Sequence, residues 1–200
     1  MKYLKLNLDL LILLLLLVML SSPTVAEVLQ FTILHTSDEH SSLMPVPHVD
    51  YCPGARDRAT GGFARLATLI RQIHTEKGDT PVLLFSSGDF IGGTPFSWLI
   101  LNDCSPELEI MHHLGYDAAT IGNHEFDYGS QGLASYLIRL KTQEKMLPVI
   151  VSNLHTPLDH PINQAGIKEN KILELANGLK IGIFALLGRG AHRVSPDAKP

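Results

Sequence analysis

Ala118-Ala119-Thr120-Ile121-Gly122-Asn123-His124-Glu125-Phe126-Asp127 is the stretch on which the reading of this chain turns. Ala118 to Ile121 reads as a short buried strand, and Gly122 lets the chain leave it. Asn123, His124, Glu125 and Asp127 follow at once. Polar groups packed so densely after an apolar strand have no purpose in a core. They are expected to project from the strand's carboxyl end, which is where open α/β sheets bind ligands.

The same punctuation recurs on the N-terminal side. Val28 to Thr36 is rich in β-formers and runs into Ser37-Asp38-Glu39-His40, and Pro81 to Ser86 runs into Ser87-Gly88-Asp89. Between them, Gly62 to Lys77 carries Phe63, Leu66, Leu69, Ile70 and Ile73 at helical spacing. A second helix is predicted from Pro106 to Gly115, with Ser105 as its N-cap. A third is predicted over Ser130 to Lys141, with Leu133, Leu137 and Leu140 inward. Pro148 to Ser152 then reads as a fourth strand ending at Asn153. Lys171 to Leu175 and Leu179 to Leu187 flank Asn177-Gly178, a strong hairpin signal. Strand and helix in alternation specify an α/β fold with a largely parallel sheet, closed by an antiparallel element.

Successive strand ends therefore bring carboxylate, imidazole and amide groups to one rim. This donor set suits a divalent ion of the zinc, manganese, cobalt or iron type, and the lack of thiolates argues against a structural zinc site. Asp38 and His40, two apart in one loop, can turn to the same ion. Asp89 can bridge two ions, and Asn123 adds a neutral oxygen. His124, adjacent to Asn123, points elsewhere and stays free for the substrate. Asp127 is close enough to hold that imidazole in one tautomer. Asp-x-His or Ser-Gly-Asp alone is an ordinary loop sequence; the order of all three at consecutive strand ends carries the argument.

The remaining histidines have plainer readings. Of the ten in the chain, His35 is expected in the core, and His74, His112 and His113 at helix surfaces. His48, His155, His160 and His192 fall in loops. Cys52 and Cys104 are the only cysteines; they exclude a disulfide scaffold and a zinc ribbon, and pairing and free thiols stay equally open. The formal net charge of −4, without a basic block, gives no nucleic-acid surface. At the N-terminus Lys2 and Lys5 precede an apolar run from Leu10 to Leu20, with Thr24-Val25-Ala26 beyond it. Residues 1–26 thus read as a secretory signal peptide, too short in its apolar part for the roughly 20 residues of a membrane span. Residues 27–200 are expected to be exported to the periplasm or the cell exterior, with no stable span once the signal is removed.

Ile33 to His40, Gly88-Asp89 and Gly122 to Asp127 together resemble the calcineurin-like metallophosphoesterases. The Gly-Asn-His-Glu-Phe-Asp form, the Ile-Leu-His-Thr lead-in and Gly61-Gly62-Phe63-Ala64-Arg65-Leu66 are similar to the 5′-nucleotidase branch. The resemblance runs from about Val28 to Ala191 and implies a β-sandwich flanked by helices. It implies two divalent metal ions, Zn, Mn, Co or Fe. Asp38 and His40 would be ligands of the first, Asp89 the bridge and Asn123 a ligand of the second, with His124 and Asp127 as the catalytic dyad.

Family members take further ligands, usually histidines in glycine-rich loops, from downstream, and this branch has a C-terminal substrate domain. Neither is present after Asn153, so 27–200 is expected to be the N-terminal part of the domain, truncated on its C-terminal side. Ser37 stands where asparagine is usual. The implied activity is hydrolysis of phosphate esters, nucleoside 5′-monophosphates first among them. Cyclic nucleotides, nucleotide sugars or sulfur esters are the alternative substrates, and an inactive fragment the alternative state.

Overall fold

The computed structural model describes residues 28–45, 59–104 and 106–195, together with 8, 10–13 and 15. The predicted signal peptide falls almost wholly outside the described residues, as do Cys52, His48 and the predicted cap Ser105. No described helix is long and apolar enough to cross a membrane.

Three parallel strands form the sheet: β1 (Thr32–Thr36), β2 (Val82–Ser86) and β3 (Ala118–Ala119), with β2 central. β1 and β2 pair from Thr32 with Val82 to Thr36 with Ser86. Three helices connect and cover them: α1 (Phe63–Lys77), α2 (Pro106–His113) and α3 (Gly129–Thr142). The core lies between sheet and helices, where Leu84, Leu108, Met111, Leu133, Tyr136, Leu137 and Val149 are all but inaccessible. The inward leucines of α3 are those its helical spacing indicated. An antiparallel hairpin follows, β4 (Asn170–Glu174) and β5 (Lys180–Phe184), turning through Asn177-Gly178. A short α4 (Ala191–Val194) comes last.

The elements depart from expectation at their ends and in two places of substance. Pro148 to Ser152 is not a strand: Val149 bridges to Ala119 and Ile150 to Lys168, one pair each. β3 is only two residues long, so it offers a fourth strand little edge to pair with. The segment after Gly93 forms a 3₁₀ helix, Pro95–Asn102, started by Pro95 and by the Thr94 side chain accepting from the Phe96 N–H. Its composition gave no periodic signal. His35, expected in the core, is exposed on the outer side of β1 and hydrogen-bonds Ser87 Oγ at 2.5 Å. Strand side chains alternate between faces, and in β1 it is Leu34 that packs on the core while Ile33 and His35 face away.

Candidate active site

The three strands end level with one another, and their pairing carries on into the loops beyond. Asp38 N–H donates to Gly88 O (3.1 Å), His40 N–H to Asp89 O (3.0 Å) and Ser41 N–H to Phe90 O (2.8 Å). Phe90, Ile91 and Ile121 are buried and root these loops in the core. Gly88 has φ 92° and lies so close to Gly122 that a Cβ on either would collide, the one with the facing backbone and the other with the Asp89 carboxylate. Both positions therefore require glycine.

Backbone strain collects here. Asp38 (φ 56°), His40 (46°), Ser41 (50°) and Asp89 (54°) are four of the six non-glycine residues with positive φ among the described residues. Each such residue costs on the order of 1–3 kcal/mol and persists only where its surroundings enforce it. Glu125 is one of the groups that enforce it, at Asp89. Fully buried beneath the rim, its carboxylate accepts from the N–H groups of Asp89 (3.0 Å), Ile91 (3.1 Å) and Gly122 (2.5 Å). Burial pushes this carboxyl up to about 7, against the backbone donors that favour its charged form. Sequence reading assigned Glu125 no role, although its place inside the motif was the available signal.

On this scaffold His40, Asp89 and His124 converge, with a ligand atom from each within 4.8 Å of the others. The two imidazoles meet edge to face at 4.8 Å between centroids. Imidazole nitrogen and carboxylate oxygen are donors that suit a borderline divalent ion. Asp89 Oδ1 also accepts from the His124 backbone N–H at 2.8 Å, which fixes the carboxylate against the third loop. Asp38 lies at the edge of this group, 3.8 Å from His40 Nε2 with its side chain 62% exposed, and is held by Ser37 Oγ. Asn123, immediately before His124, is half-buried.

Asp127 stands behind His124, its Oδ2 2.6 Å from Nδ1, as the spacing indicated. That hydrogen bond raises the imidazole's pKa, with lesser contributions from the Asp127 and Asp89 charges. Asp127 Oδ1 is also occupied: Ser195 Oγ donates to it at 2.9 Å, a contact no sequence motif announced. Asn153, after the segment expected as a fourth strand, faces the backbone instead, donating to Leu187 O (2.8 Å) and accepting from Leu187 N–H (2.9 Å). His160 caps the 3₁₀ helix Pro161–Gln164 and pairs with Ser130; the side chain of His192 falls outside the described residues.

His40, Asp89, His124 and Asp127 thus lie together at the carboxyl end of the sheet. The calcineurin-like phosphoesterase family model matches residues 31–192, and this chain belongs to that family. It is 38% identical to a 5′-nucleotidase of Bos taurus over 62% of this chain and 20% of that protein. It is 35% identical to a probable 5′-nucleotidase of Treponema pallidum over 78% of this chain and 25% of that protein. Among solved structures, the NAD nucleotidase of Haemophilus influenzae superposes with TM-score 0.65 at 26% identity, covering 84% of this chain and 28% of that one. The chain thus spans about a fifth to a third of the length of the curated relatives it matches.

Proposed function

We propose that this chain carries the metal-binding rim and the acid–base dyad of a phosphohydrolase acting on nucleoside 5′-monophosphates. The observation that carries the reading is the convergence of His40, Asp89 and His124 with Asp127 behind the last. The names of the bovine and Treponema relatives favour nucleotide monoesters over other esters.

In this reading His40 and Asp38 would hold one divalent ion, Asp89 would be shared with a second, and Asn123 would serve the second. Bound ions of this kind supply water activation and neutralise phosphoryl charge. The chain's own groups do the rest. Asp127 keeps the His124 proton on Nδ1 and the ring in place, leaving Nε2 as the nitrogen available to the substrate. A proton on Nε2, when the ring is charged, can then pass to the leaving oxygen as the ester bond breaks. Residues 1–26 are read as an export signal, which sets the enzyme in the periplasm or outside the cell.

A second reading has a specific support: Asp38 is mostly exposed and lies outside the convergent group, so the described residues favour one ion over two. The test is phosphate release from AMP with manganese present, comparing the chain with His124→Ala and Asp89→Asn. The proposal expects AMP hydrolysis that both substitutions abolish. Wild-type turnover in His124→Ala would refute it, and binding of an ion without any turnover would favour the second reading.

A further inference from the structure

The dyad carboxylate has two oxygens, and the described structure uses both. Oδ2 receives the His124 imidazole, and Oδ1 receives the hydroxyl of Ser195, 68 residues further along the chain. Ser195 is completely buried, whereas the His124 and Asp127 side chains keep 36% and 32% of their surface exposed. We infer that Ser195 is a positioning residue for His124, acting through Asp127. The inference rests on the reading of His124 as the substrate-facing group.

The route by which Ser195 arrives supports that role. After β5 the chain is gripped at Leu187 by both polar atoms of the Asn153 side chain. It then passes through the single turn α4, and Ser195 N–H donates to Ala191 O at 3.0 Å. The serine is therefore fixed by its own backbone before its hydroxyl reaches the carboxylate. A carboxylate held only by a histidine can rotate about its last side-chain bond and carry the imidazole's partner away. With a second, charge-assisted donor on the opposite oxygen, that rotation breaks a hydrogen bond to a buried group. The consequence is a single tautomer, with the proton on Nδ1 and Nε2 directed at chemistry.

The test is the tautomeric state of His124, read by nitrogen-15 NMR of the imidazoles in the complete 200-residue chain, with no metal added. Leaving metal out separates this test from the proposed function, which stands or falls on ion binding and hydrolysis. Wild type is expected to hold the Nδ1–H form. In Ser195→Ala the ratio of Nδ1–H to Nε2–H should fall by roughly tenfold, the size of one charge-assisted hydrogen bond. Ser195→Thr, which keeps the hydroxyl, should restore it. Ser97→Ala, at a buried serine bonded to Tyr128 and Thr94, should leave it unchanged. A folded Ser195→Ala chain with an unaltered His124 tautomer would overturn the inference. Should the alanine variant not fold, Ser195→Cys keeps the volume with a weaker donor. A partial shift there supports the role, and an unchanged tautomer overturns it.

Discussion

The two sides of the rim are built differently. Behind it, Glu125 and Ser195 are wholly buried, and both are hydrogen-bonded to the loops. In front, Asp38 is mostly exposed, bonded by Ser37 and 3.8 Å from His40. The buried side fixes backbone: Glu125 ties the loop after β2 to the loop after β3 and holds Asp89, one of the residues at positive φ. The open side offers exposed lone pairs, most of all on Asp38. A metal site needs both, since ligands must be positioned before the ion comes and unpaired until it does.

The comparison can be broken most severely at Glu125. Glu125→Ala leaves the N–H groups of Asp89, Ile91 and Gly122 without an acceptor in the core. The loss expected in urea unfolding is about 3–5 kcal/mol, because each orphaned donor costs its own desolvation. A loss below about 1 kcal/mol would mean that the loops hold themselves.

Acidity sharpens the same point. Folding raises the Glu125 carboxyl from 4.5 to about 7 through burial, and Glu39 is raised by burial too. His124 is raised by its bond to Asp127. In each case the folded state holds its proton more tightly than the unfolded one. The stability they contribute is therefore full below the unfolded values and is lost as pH rises through the folded ones. The metal-free chain, kept in chelator, should be more stable near pH 5 than near pH 8, by up to about 3 kcal/mol. Glu125→Gln should flatten most of that slope, and an undiminished slope in the variant would assign it to other groups.

On the open side the effects move from stability to affinity. Asp89→Asn should weaken manganese binding by about 100-fold, the upper range for disturbing even the groups that orient ligands. Asp38→Asn should cost affinity about tenfold and leave unfolding within about 0.5 kcal/mol of wild type, since the side chain supports no backbone. A large loss of stability in Asp38→Asn would erase the contrast between the two sides.

What the sequence revealed follows the same division. Alternating apolar strands and amphipathic helices were plain because burial repeats with a period, and so were Leu133, Leu137 and Leu140 on α3. Asp89, His124 and Asp127 were plain because polar residues crowded behind buried strands need an explanation. Glu125 was read as part of a motif but not as its keystone, since a carboxylate beneath the rim and one upon it look alike in one dimension. Ser195 carries no local signal at all; its partner lies 68 residues earlier and only folding brings them together. His35 was misplaced because its strand is apolar on both faces, which hid the alternation that turns it outward. The missing fourth strand shows the limit from the other side, since Pro148 to Ser152 has the composition of a strand while β3 provides only a two-residue edge.

Calorimetric titration of manganese and zinc into the chain, beside Asp89→Asn and His40→Ala, tests most directly whether this rim is a metal centre. Saturable binding in wild type that both variants lose is the predicted result. Equal binding in wild type and Asp89→Asn would contradict it, and would place the ion somewhere other than beside His40 and Asp89.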